Sequence, residues 1–317
     1  MKNPPGAIFI ILCGLTGVTT TNVALPQATK PVTSANPVIN GGLPLVSPDG
    51  LHIAFVSDRG GASDIFVISS DGTGEAQLTQ TPEYESPAGW TKDSKHVLFS
   101  VFKNDLSTLY AISLDGRDGN RRREIGRFSG RSPMPSPDGK RVVYMAGTWT
   151  ATQLMVSAVD GSKSQQITDG SSIAWNTHWS PDGKRLAFTG RQEPNQELAI
   201  FVVKADGSER RQATHIVPEE GGAQWPVWSP EGKRLAVQVN YRISRNSSYI
   251  WVVDVATGKP RKLGVHDQAY LDETPSWFPD GKRIAFQSNR TGRMEIWVMN
   301  ADGSHQVQVT AKAVAPE

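Results

Sequence analysis

The sequence predicts an all-β fold, a six-bladed β-propeller of four-stranded antiparallel blades, on three observations. A turn of the Ser-Pro-Asp-Gly type recurs six times, in "VSPDGLHIAFVS" from Val46, "WTKDSKHVLFSV" from Trp90, "PSPDGKRVVYMA" from Pro135, "WSPDGKRLAFTG" from Trp179, "WSPEGKRLAVQV" from Trp228 and "WFPDGKRIAFQS" from Trp277. Its acids (Asp49, Asp93, Asp138, Asp182, Glu231, Asp280) are 44, 45, 44, 49 and 49 residues apart, a period of propellers and solenoids. After Asn40 no stretch sustains a 3.6-residue apolar period, whereas short alternating stretches abound.

Each unit reads as four strands. A short apolar strand, often with Trp and Pro, leads into the first turn, where Pro presets φ, Asp bonds neighbouring backbone and Gly accepts a left-handed conformation. An alternating strand follows, such as Ile284 and Phe286 after Lys282-Arg283. A polar loop leads to a second apolar strand ("DIFVIS", "TLYAIS", "QLMVSA", "AIFVVK", "YIWVVD", "EIWVMN"). A second turn (Asp71-Gly72, Asp115-Gly116, Asp160-Gly161, Asp206-Gly207, Thr257-Gly258, Asp302-Gly303) precedes a short closing strand ("AQLT", "REIG", "QQIT", "RQAT", "RKLG", "VQVT"). Such small sheets have two apolar faces, which only neighbouring blades can cover. The turn acids therefore read as geometry rather than catalysis, and the Lys-Arg pairs behind them as a solvated rim. Trp90, Trp179, Trp228 and Trp277, each three residues before a turn acid, read as anchors between blades.

The 33 basic and 31 acidic residues are too evenly balanced for nucleic acid to be a main partner. Lys2, the apolar stretch Ala7–Val18 and a possible cleavage site at Asn22-Val23-Ala24 read as an export signal too short to span a bilayer. The expected organisation is a signal peptide over 1–24, a linker or extra edge strand over 25–40, the propeller over 41–310 and a tail over 311–317. This implies a periplasmic or secreted protein, touching membrane only if the N-terminus is retained. Cys13, the single cysteine, lies in the apolar stretch, so no disulfide or cysteine metal site is expected in the fold.

With both turns at a constant offset, "TPSWFPDGKRIAFQSNRTGRMEIWVMNADGSHQVQVT" resembles the repeat of the TolB-type propeller family over residues 41–310. The resemblance extends to the propeller portion. It implies a binding module of the cell envelope that takes a protein or peptide partner at its channel mouth, without enzymatic activity or cofactor. No G-x-S-x-G motif follows the repeats to suggest an appended hydrolase.

The face carrying the variable links and second-to-third-strand loops is where binding is expected. Seven and eight residues ahead of the turn acids, at the expected channel mouth, stand Glu85, Arg131, Trp175, Gln224, Asp272 and Glu273. Arg191 and Arg290, with Arg59, Lys103, Arg242, Arg245 and Arg293, stand in the second-to-third-strand loops as a ring facing an acidic partner. A second reading, from a different class, is a carbohydrate-active enzyme of lyase type, with a metal held on the same face by His178, His215 and His266. No metal ligand is assigned in the first reading.

Overall fold

A computed structural model describes residues 41–115, 121–170, 173–191, 196–215, 221–241, 247–264 and 270–310. The expected export signal and the extra edge strand lie outside the described residues. The 24 strands form six four-stranded antiparallel sheets, each built from four consecutive strands, and no helix occurs among the described residues. Blade 6 is representative, with strands Asp272–Trp277, Arg283–Ser288, Glu295–Asn300 and Val307–Gln308. The outermost strand is only two or three residues long in every blade but the second, where it runs Arg123–Phe128.

The turn residues act as their chemistry predicts. In blade 4 the Ser180 hydroxyl donates to Asp182 Oδ1 at 2.6 Å, and Asp182 Oδ1 also accepts from the Lys184 amide at 3.0 Å. Gly183 turns the chain at φ 66°. The outer turns repeat this with Asp160, Asp206 and Asp302; in blade 5 the cap is Asp254 rather than the expected Thr257, which donates to it at 2.8 Å. A threonine stands two residues beyond the short outer strand in four blades. Thr79, Thr168, Thr214 and Thr310 accept from the amides of Ile65, Leu154, Ile200 and Ile296 at 2.8–3.0 Å, satisfying backbone that two-residue strands leave open.

The core lies in layers between blades, because alternate residues of each strand face opposite neighbours. The tryptophans anchor these seams. The indole N–H of Trp90 donates to the Leu45 carbonyl, and that of Trp179 to the Met134 carbonyl, each in the preceding blade at 2.9 Å. The residue three after each turn acid closes the clasp from that blade, so the Lys-Arg pairs are more than a solvated rim. Arg141 lies 4.7 Å from the Trp179 ring, Arg185 4.5 Å from Trp228 and Arg234 4.9 Å from Trp277, while His52 packs on Trp90 at 6.4 Å. Where the next blade lacks the tryptophan, the clasp is absent. Blade 1 offers Val46, and Arg283 covers Phe278 of its own blade at 4.0 Å instead.

Blade 6 meets blade 1 over buried Ile53, Phe55, Phe278 and Ile296. The Gly41 amide donates to the Met294 carbonyl at 3.0 Å, Leu43 N–H to Gln287 Oε1 at 2.9 Å and Val46 N–H to Ser276 Oγ at 3.1 Å. Gly41 has no room for a side chain, since a Cβ there would sit 2.8 Å from Ile296.

Candidate functional site

The six innermost strands (Gly42–Val46, Glu85–Trp90, Arg131–Pro135, Ala174–Trp179, Ala223–Trp228, Asp272–Trp277) surround a narrow central cavity of about 80 Å³. Its lining is mainly apolar, with Leu45, Pro87, Met134, Trp225, Val227 and Pro275, and polar groups from Ser86, Ser132, Asn176, Thr177, His178 and Thr274.

A repeated bulge puts these residues there. Six positions before the turn acid, Leu43, Ser132, Asn176, Trp225 and Thr274 all adopt a left-handed conformation, with φ between 48° and 52°. Each such non-glycine residue costs about 1–3 kcal/mol, most awkwardly for β-branched Thr274. The ladder to the second strand shifts register at the same place in each of these blades.

Polar side chains of preceding blades receive the amides that the bulge frees. Trp225 N–H donates to Thr189 Oγ1 at 3.2 Å, Thr274 N–H to Gln238 Oε1 at 3.5 Å and Leu43 N–H to Gln287 Oε1 at 2.9 Å. Blade 2 has Pro87 at this position, with no amide to donate and no left-handed option, and the equivalent second-strand residue of blade 1 is the apolar Val56. There the irregularity moves to Gly89, at φ 150°.

The bulge also displaces the expected mouth residues by one position, so several face seams instead of the channel. Glu273 is buried, accepting from Gln238 Nε2 at 3.1 Å, Ser248 Oγ at 3.2 Å and Gln287 Nε2 at 2.9 Å. A hydrogen-bond chain thereby runs from blade 5 through blade 6 to Leu43 of blade 1. Asp272 is buried, paired with Arg290 Nη2 at 2.6 Å and Ser288 Oγ at 2.6 Å. Glu85 is buried against the Thr79 hydroxyl and accepts from Thr81 Oγ1 at 3.0 Å. Trp175 donates to Thr152 Oγ1 of blade 3 at 3.1 Å, and Gln224 is half-buried, paired with Gln238 on the ladder.

The loop arginines separate into different environments. Arg290 folds over its own blade, 4.8 Å from the Trp297 ring, and Arg59 does the same over Phe66 at 4.6 Å while pairing with Glu75. Arg191 is half-buried at the end of its strand, whereas Lys103 and Arg293 are exposed; Arg242 and Arg245 lie outside the described residues. Arg131, outside the residues that line the cavity, donates from Nη2 to the Gly147 carbonyl at 2.9 Å and stacks on Trp149 at 4.2 Å.

Burial raises the pKa of Glu85, Asp272 and Glu273, outweighing their hydrogen bonds and, for Asp272, the attraction of Arg290. Hydroxyl and amide hydrogen bonds hold turn acids such as Asp93, Asp138, Asp160, Asp206 and Asp302 below the usual value. The lowered group contributes stability above the ordinary carboxylate range and loses it as pH falls through the folded values. The raised group contributes stability below that range and loses it as pH rises. A thermal-unfolding series should therefore show Tm level or slightly rising from neutrality to about pH 5, then falling below about pH 4. A steady fall from neutrality would contradict these assignments.

Of the three histidines, His178 lines the channel, its pKa pushed down to about 4 by burial, so the ring is neutral near pH 7. His215 is exposed and lies against Gly258 of the next blade, away from the channel lining, and His266 lies outside the described residues. Among the described residues no group of three or more His, Cys, Asp or Glu is placed to hold a metal ion.

The TolB beta propeller domain family matches residues 19–172 and 147–315, almost the whole chain. The chain belongs to this family. Among solved structures, this TolB-family propeller is similar to TolB from Acinetobacter baumannii (TM-score 0.66, 20% identity, 83% of this chain and 64% of that one). It is also similar to an oligogalacturonate lyase in complex with manganese (TM-score 0.58, 14% identity, 88% and 79%). At these identities the likeness is one of fold alone. In sequence it is 30% identical over 148 residues to an uncharacterised protein of Agrobacterium fabrum (45% of this chain, 48% of that protein). It is 26% identical over 153 residues to a TolB homolog of Chlorobium luteolum (48% of this chain, 34% of that protein). The match thus spans less than half the length of these relatives.

Proposed function

We propose that this TolB-family propeller is a binding module that receives a protein or peptide segment at the mouth of its central channel. The observation that carries this reading is the channel lining. Thr177 and Thr274 stand among its lining residues, and among the described residues their buried hydroxyls, Thr177 Oγ1 and Thr274 Oγ1, have no hydrogen-bond partner. Such groups suit the backbone of an inserted segment, and neutral His178 can both donate and accept. Tyr84 in a link, Phe102 near the end of the second strand of blade 2 and Trp149 in a second-to-third-strand loop, each 43–54% exposed, add apolar contact.

The partner is proposed to be an envelope protein, because the apolar stretch 7–18 reads as an export signal; a secreted form still starting at Met1 would argue against cleavage. The test of binding is capture of a partner from envelope extract by the purified chain. Ser86→Arg, which fills the mouth, should abolish capture, whereas Leu51→Arg, at an exposed first-turn position, should not. Equal capture by two folded variants would overturn the reading.

A further inference from the structure

Several cations on or near the variable-loop face are already neutralised. Arg59 pairs with Glu75 at 2.7 Å, Arg122 with Glu83 at 2.6 Å and Arg290 with Asp272 at 2.6 Å. Arg131 differs. Among the described residues no carboxylate lies within 4.0 Å of its guanidinium, and Asp105, at the tip of the neighbouring blade's hairpin, attracts it only at longer range. Among the described residues its guanidinium makes one hydrogen bond, to the Gly147 carbonyl, and the stack on Trp149. Its Nε is buried with no partner.

A half-buried guanidinium has five donors and an unfavourable desolvation that a fixed counter-charge would offset. Here one donor is used and the plane is held against an exposed indole, which orients the free Nη edge without neutralising it. Arg131 also directly precedes Ser132, which lines the channel. A carboxylate fits that edge, since the planar fork matches its two oxygens. Trp149, 54% exposed, offers apolar contact to whatever stands beside the acid.

We propose that Arg131 and Trp149 form a carboxylate subsite of the channel mouth, selecting a partner segment with an Asp or Glu next to a large apolar residue. This inference rests on the reading of the mouth as a peptide site. The test uses two fluorescein-labelled pools of C-terminally amidated decapeptides with neutral random positions, one with a fixed central Glu and the other with Gln, titrated against the full chain by anisotropy.

Wild type should bind the Glu pool about tenfold more tightly than the Gln pool. Arg131→Gln should erase that ratio by weakening Glu-pool binding far more than Gln-pool binding, Arg131→Lys should keep part of it, and Trp149→Ala should weaken both pools without lowering Tm. Equal binding of both pools by wild type, or an undiminished ratio in Arg131→Gln, would overturn the subsite alone. Binding of neither pool would overturn the peptide reading together with it. Tighter binding of a galacturonate oligomer than of either pool would assign the mouth to acidic sugars and overturn the proposal.

Discussion

Trp179→Ala is expected to destabilise the protein by about 3–5 kcal/mol, a fall in Tm on the order of 10 °C for a chain of this size. The side chain is 7% exposed and packs with Leu186, Phe188 and Met145 in the seam between blades 3 and 4. Its removal leaves a cavity there, frees the Met134 carbonyl from its 2.9 Å hydrogen bond and strips Arg141 of the ring beneath it. Blades contact only their neighbours, so damage to one seam is not shared around the ring. Thermal unfolding monitored by circular dichroism measures the effect; a Tm within 2 °C or so of wild type would show that the clasp is decorative.

Gln287→Leu is expected to produce the second large effect, because one buried amide serves two partners, the half-buried Leu43 and the buried Glu273, at the closure of the ring. Its Oε1 accepts from Leu43 and its Nε2 donates to Glu273 at 2.9 Å. Leucine fills much of the same volume but leaves both groups unpaired, at about 1–3 kcal/mol each. The loss falls on a blade 6–blade 1 seam without a tryptophan clasp, so amide exchange at Gly41 and Leu43 should accelerate more than at the blade 4–blade 5 seam. Unchanged exchange at these amides, with unchanged Tm, would contradict the assigned role.

Blade number, strand order and turns were legible in the sequence because they rest on local periodic chemistry. "DIFVIS", "AIFVVK" and "EIWVMN" are third strands residue for residue. The register of the channel was not, since a bulge inserts one residue and reverses the alternation beyond it. Counting back from the turn acids therefore placed Glu85, Asp272 and Glu273 at the mouth, whereas they are buried in hydrogen-bonded positions. A trace of the bulge was nonetheless present. Gln238 and Gln287 interrupt otherwise apolar second strands, and Val56 stands in their place ahead of the only blade with a proline at the bulge. The Arg-Trp clasps were hidden for a different reason: each joins residues more than 35 positions apart, and only the ring geometry brings them together.

The central claim, that a partner segment enters the channel mouth, is tested most directly by site-specific photo-cross-linking in cells. Trp225 lines the channel and Leu51, 61% exposed, stands at the first turn of blade 1, so benzoylphenylalanine fits at either position with little disturbance. The account predicts a discrete covalent adduct from position 225 and none from position 51. Adducts from position 51 alone, or equal adducts from both, would contradict it.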